Sequence, residues 1–564
     1  MAGSRVLALC CALTALLSAC SIGKSLKLLA GGDTRELRDR PEDAPARSPR
    51  RPGLLVLALD GVGQNQLYDM LEHGELPQFS RLISGEKGRF PHAYFDKSFL
   101  ATLPSSTAVA WVTAFTGATP AEHGVAGNEF FIRESATFAA PVPVTFSDTT
   151  PVIETYTDGY VNRLTLVPTV YERMRKRDPY LQAWVAMHQL HRGADKLLVT
   201  DRAVLADAFK AFLETQITEK LAQKDSKAVY AELDEQVVDS VIDELEDEDE
   251  PLPDVLTIYM SGADQFAHVA ESGPDAARRE YLREEIDPLL GALTKALVAR
   301  RMLENRYVVV TADHGHTEVM DDDEHALAMD DAHDPPAVLK KAGFHLRPFS
   351  LKVAGDAKFD SVLAYQGAMA YVYVADRSAC RAGRCDWKRP PRFREDVLAV
   401  ADAFYQASET GHRVPEMKGT LDMVLARKPK PLEKIDAPFE VYVGDGRLEP
   451  VGRYLERHPH PAYVELERRL EALAVGRHGE RAGDVILIAC NGDEESPKNR
   501  YYFSSRYRSW HGSPSRQDSE IALIVAHPRH SAAELGSRVK RVLGDAPFQE
   551  KFTDVLLALR YGQE

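Results

Sequence analysis

The sequence predicts an α/β sandwich: a mainly parallel central sheet flanked by helices, with a cap insertion late in the chain. Three observations carry this. Short continuous runs of Val, Ile and Leu end in polar or acidic residues, as expected of strands buried on both faces. Segments with apolar residues at helical spacing alternate with those runs. A long Pro-rich stretch after residue 320 then breaks the alternation.

In chain order, the first run, Leu54–Leu59, ends at Asp60. Helices are predicted over Gln66–Leu71, Thr107–Phe115 and Thr169–Arg177. Residues 201–252 read as a helical insertion closing on the acidic run Asp243–Glu250, a solvated helix end. Val255–Met260 precedes Asp264, a helix is predicted over Arg278–Val298, and Val308–Val310 precedes Asp313. Residues 320–500 hold short strands (Tyr371–Val374, Glu440–Val443) and read as a cap inserted between parts of the sheet. Ile521–Val525 returns to the sheet, so one large domain is expected over residues 53–545. In open α/β sheets ligands gather at the carboxyl ends of the strands. Asp60, Asp264 and Asp313 fall there.

The 564 residues carry 85 acidic and 69 basic side chains, a formal charge of −16. That balance argues against a general nucleic-acid binder, which needs a basic field. It leaves anionic substrates open, because a bound metal supplies local positive charge. Past residue 20 no apolar run approaches the ~18 residues of a membrane span. No internal repeat suggests a solenoid.

Residues 1–19 read as a signal peptide: Arg5, then an apolar core over Val6–Leu17 too short to span a bilayer. Leu17-Ser18-Ala19-Cys20 resembles the bacterial lipobox, which implies a lipid on Cys20 and export. Ser21 after the cysteine suggests outer-membrane sorting, facing the periplasm or cell surface. Residues 20–52, rich in Gly, Arg, Pro, Asp and Ser, are expected to be a flexible tether. In an oxidising compartment Cys380 and Cys385, separated by Arg-Ala-Gly-Arg, are expected to close a small disulfide loop. Cys490, after an apolar run, is expected in the core.

Asp264 and His268 lie four apart, on one face of a helix. Asp313-His314 and Asp60 follow other strands. Asp and His are the nitrogen and oxygen donors suited to zinc and similar divalent ions. Each alone is more simply a cap or a hydrogen-bonded residue, but three such groups at the strand ends of one sheet suggest a metal centre. Four hydroxyls, Thr102, Ser105, Ser106 and Thr107, precede a predicted helix. There they could serve as a nucleophile near the helix N-terminus or as an ordinary cap. His188, His191, His316 and His325 are extra candidates near the site, each more simply a structural or solvated residue.

The order of these motifs resembles the type I phosphodiesterase/nucleotide pyrophosphatase group of the alkaline phosphatase superfamily. The resemblance rests on Asp60-Gly61, Thr102-Leu103-Pro104, Thr116-Gly117 with Pro120 and His123-Gly124, Asp264 with His268, Asp313-His314-Gly315 and His511-Gly512. It implies an alkaline-phosphatase-like sandwich and a phosphoester hydrolase with two divalent ions, zinc first among them. Asp60, Asp313 and His314 would hold one ion, and Asp264, His268 and His511 the other. Thr102, two residues before Pro104 and coordinated by one ion, would be the nucleophile. Pro104 is then expected in the first turn of the helix. Asn128 would donate to a phosphoryl oxygen. The chain departs from the family at Leu103, where Phe is common, and at Ser105-Ser106, where the nucleotide-cleaving branch often has Asn-His. A phosphomonoesterase, a phosphonate hydrolase and a non-catalytic surface-binding lipoprotein are the alternatives. A sulfatase is excluded by the lack of its C/S-x-P-x-R motif.

Overall fold

The computed structural model describes residues 34–38, 51–145, 150–199, 202–214, 226–248, 250–353, 357–380, 384–430, 437–491 and 496–562. The signal segment, Cys20 and most of the tether lie outside them.

The strand Gly53–Leu59, wholly apolar after its glycine and buried throughout, lies near the middle of an eight-stranded sheet. Across the sheet the order is Thr34–Glu36, Lys196–Leu198, Ala183–Ala186, Val255–Met260, Gly53–Leu59, Arg306–Ala312, Leu523–Ala526, Ala93–Asp96. The five strands from Lys196–Leu198 to Arg306–Ala312 run parallel, and antiparallel strands flank them. The sequence expectation of a mainly parallel α/β sheet therefore holds. Two details differ. The run at Ile521–Val525 becomes an antiparallel strand. A strand, Thr34–Glu36, forms inside the expected tether and pairs with the sheet edge.

Register positions the chemistry. Leu59 pairs with Met260 on one side and Ala312 on the other. The three strands thus end level, and Asp60, Ser261 and Asp313 emerge side by side. One residue after Ser261 the helix Gly262–Val269 begins, carrying Asp264 and His268 on one face.

The expected long helix is continuous over residues 274–299 but carries a π-helical turn at Leu282–Ile286. Residues 361–489 supply a second, six-stranded sheet, antiparallel throughout. One hydrophobic core spans both sheets. Cys380 and Cys385 are joined by a disulfide. Cys490 is half-buried, not in the core as expected. Among the described residues no helix is long and apolar enough to cross a membrane.

Candidate active site

At the carboxyl ends of the parallel strands the fold gathers three carboxylates and three imidazoles. Asp60, Asp313 and His314 bring one ligand atom each within 4.8 Å of one another, and so do Asp264, His268 and His511. Both trios expected from the sequence are therefore assembled, and all six residues are buried.

The imidazoles are oriented alike. His268 Nδ1 faces Ser509 O at 2.7 Å, His314 Nδ1 faces Gly315 O at 3.0 Å, and His511 Nδ1 faces Ser105 O at 3.0 Å. A carbonyl can only accept, so each Nδ1 carries the proton and Nε2 keeps its lone pair for a ligand. His314 Nε2 lies 3.4 Å from both Asp60 Oδ1 and Asp313 Oδ2. Those two carboxylate oxygens are buried with no hydrogen-bond partner. Orphaned buried oxygens facing imidazole lone pairs are what a cation would satisfy.

The electrostatics agree. Burial, followed by the Asp313 and Asp264 carboxylates, pushes Asp60 well above the usual carboxylate range. Burial pushes Asp313 up to about 7. Burial, with smaller contributions from neighbouring histidines, holds His268 and His314 well below the ordinary imidazole value. The site thus repels protons from His268 and His314 and leaves two carboxylates without a counter-charge.

Gly61 is required where it stands. Its φ is +68°, and a Cβ there would lie 2.7 Å from His316 Nε2 and 2.8 Å from Asp264 Oδ1.

The expected start of the helix needs correction. The helix begins at Thr107, not near Pro104, with Ser106 as its N-cap. Pro104 lies in the preceding loop, not in the first turn of the helix as expected. Thr102 makes backbone contacts, its N–H donating to Gln549 Oε1 and its carbonyl accepting from Arg469 Nη2 at 3.0 Å. None reaches the cluster. Thr107 does: its hydroxyl lies 3.2 Å from His314 Nε2 and, given the His314 tautomer, donates to it. Asn128 lies beside this helix start, its Oδ1 accepting from Ala108 N–H at 2.8 Å.

Of the four additional histidines only His316 joins the cluster, its Nε2 on Asp264 Oδ1 at 2.7 Å and its Nδ1 on Ser509 Oγ at 3.1 Å. His188 packs among Trp111, Phe115 and Tyr259. His191 bonds to Asn162, and His325 bridges Asp322 and Lys498 O. Sequence reasoning missed Tyr259, whose hydroxyl donates to Asp60 Oδ2 and meets Tyr156 at 3.0 Å. A tyrosine inside an apolar strand carried no signal of that contact.

A carboxylate–imidazole cluster opposite a helix N-terminus, at the strand ends of an α/β sheet, suits the handling of phosphoesters: cations on one side, anion-seeking N–H groups on the other. The family model for type I phosphodiesterase/nucleotide pyrophosphatase matches residues 54–416, more than half of the chain. The chain belongs to that family and is a phosphoric ester hydrolase, and members of the family depend on metals. No curated protein sequence matches it. Similar solved structures include murine ectonucleotide pyrophosphatase/phosphodiesterase 5 (11% identity, TM-score 0.47, 91% of this chain and 96% of that one). An inactive variant of the murine protein in complex with AMP gives 11% identity and a TM-score of 0.48, with the same coverage. Phosphonoacetate hydrolase from Sinorhizobium meliloti 1021, in complex with phosphonoformate, gives 15% identity, a TM-score of 0.45 and the same coverage.

Proposed function

We propose that the chain hydrolyses phosphodiesters or pyrophosphates through a phosphothreonine on Thr107. Two divalent ions, zinc by the chemistry of the donor set, would be held by Asp60, Asp313 and His314 and by Asp264, His268 and His511. The observation that carries this reading is the Thr107 hydroxyl 3.2 Å from His314 Nε2, on the first residue of a helix.

When bound, the ions supply positive charge that acidifies the attacking hydroxyl and neutralises the leaving oxygen. The chain's own groups do the rest. The first N–H groups of the helix have no intrahelical acceptor and favour a phosphoryl oxygen. Asn128 has its amide oxygen occupied by Ala108 N–H, which leaves its NH2 to donate to the same phosphoryl group. Thr107 Oγ attacks phosphorus, forming one P–O bond while the bond to the first alcohol breaks. Water then cleaves the phosphothreonine, releasing the remaining monoester and restoring Thr107.

The test is a panel of bis-aryl phosphate, aryl phosphate, aryl sulfate and a dinucleotide, with bis-aryl phosphate or the dinucleotide turned over best. Thr107→Ala should lose ~10³-fold or more in turnover with metal content unchanged, and Thr107→Ser should keep part of it. Thr102→Ala should stay near the wild-type rate. Loss in Thr102→Ala with retention in Thr107→Ala would sink the assignment. A kcat/KM for the aryl monoester well above the diester value would replace the diesterase reading with a monoesterase.

A further inference from the structure

Among the described residues, one other group of side chains outside the phosphoester site is arranged as metal donors. Glu134 sits in the turn between the strands Phe130–Ile132 and Thr137–Ala139, a few residues after Asn128. His478 and Glu480 lie at the 3-10 turn Gly479–Ala482, just before the strand Val485–Ala489. The three offer ligand atoms within 4.8 Å of one another.

Glu480 gives this cluster its meaning. Its side chain is 3% exposed, and neither carboxylate oxygen has a hydrogen-bond partner. His478 Nδ1 is likewise buried without one. The nearest cation, Arg481 Nε, stands 3.9 Å from Glu480 Oε1, beyond hydrogen-bond reach. Arg481 Nε has no hydrogen-bond partner of its own, and the other guanidinium nitrogens around the carboxylate are bonded elsewhere. Arg481 Nη1 donates to Gly124 O, Arg427 to Ala474 O, Gly479 O and Gly483 O, and Arg133 to Val374 O and Asp484. A buried carboxylate with no donor on either oxygen is a costly arrangement unless something neutralises it. Burial, reinforced by Glu134, accordingly pushes the Glu480 carboxyl up to about 7. Burial lowers His478, which keeps its imidazole neutral and able to ligate.

We infer that Glu134, His478 and Glu480 form a separate binding site for a divalent transition ion of the zinc type. One imidazole with two carboxylates favours zinc over magnesium or calcium, which prefer all-oxygen shells. The ion would replace the proton on Glu480 and tie two distant segments together: the hairpin turn following Asn128 and the segment entering the second sheet. The site stands apart from the phosphoester cluster and does not depend on the nucleophile assignment.

The test counts zinc. Full-length protein is loaded with Zn²⁺, dialysed against a weak chelator and analysed for metal per chain. Glu480→Gln, His478→Ala and Glu134→Gln should each hold one equivalent fewer than wild type while diester turnover is kept. Glu134 is exposed, so Glu134→Gln tests the site even if a change at buried Glu480 impairs folding. Equal zinc content in wild type and Glu134→Gln, or in wild type and a folded Glu480→Gln, would overturn the site and identify Glu480 as a buried neutral acid.

Discussion

His316 differs from the three histidines assigned above to the ions in that a side-chain hydroxyl, Ser509 Oγ, rather than a backbone carbonyl faces its Nδ1, while Asp264 Oδ1 lies 2.7 Å from its Nε2. It therefore acts as a positioning residue that fixes Asp264. His316→Ala should weaken retention of the ion assigned to Asp264, His268 and His511 by ~10–100-fold in chelator competition. Added zinc should restore turnover. Unchanged retention would remove this role. Asp313 makes a second, pH-dependent prediction. Its folded pKa without metal is raised from 3.8 to about 7, so its stabilising share is present below the unfolded value and lost as pH rises through about 7. The neighbouring His268 and His314, held low, contribute with the opposite sign, so the signal is read as a difference between variants. In chelated protein, Asp313→Asn should melt close to wild type near pH 4 and progressively above it toward pH 7. A difference independent of pH would contradict the assignment.

At the scale of elements, three strands ending level bring the acidic residues together, and the insertion helix Ser226–Glu246 holds the next piece in place. Asp234 on that helix accepts from Ser261 N–H at 3.0 Å, Gly262 N–H at 3.1 Å and the Tyr281 hydroxyl at 3.0 Å. It thereby caps the start of the helix bearing Asp264 and His268. The approach is so close that a Cβ on Gly262 would meet Tyr281 Oη at 1.8 Å. Asp234→Ala strands three buried donors and should cost at least ~2 kcal/mol in unfolding free energy, with weaker zinc retention. A melt and zinc affinity equal to wild type would show the cap to be dispensable. Such contacts mark what the sequence could and could not say. Apolar runs followed by Asp60 and Asp313 were legible because buried parallel strands have a distinctive composition. The start of the helix Thr107–Thr116 was not. Ser105, Ser106 and Thr107 all cap well, and Pro104 suits a loop as readily as a first turn. Only the contact of Thr107 with His314, two hundred residues away in sequence, distinguishes them.

On the scale of the whole molecule, the stretch read from sequence as a cap does more than cover the sheet. Gln366 Oε1 accepts from Asn128 N–H at 2.8 Å, and Arg469 donates to Thr102 O and Ser105 Oγ. The second sheet region therefore braces the loops on both sides of the helix Thr107–Thr116. Its role was hidden from the sequence because these partners lie hundreds of residues apart and share no periodic pattern. At the opposite edge of the main sheet, Thr34–Glu36 pairs with Lys196–Leu198. Residues 34–36 thus belong to the main sheet, although composition read them as tether. We propose that Cys20 carries the lipid that the lipobox-like Leu17-Ser18-Ala19-Cys20 implies, anchoring an exported enzyme to the outer membrane. About thirteen residues would then separate anchor and sheet, a reach of at most ~45 Å. A single acyl chain binds membranes only marginally, so stable anchoring needs more than one. Cells fed labelled palmitate should label wild type but not Cys20→Ser, and the variant should leave the membrane fraction with its turnover intact. Equal labelling of the two proteins would sink the anchor while leaving the active site untouched.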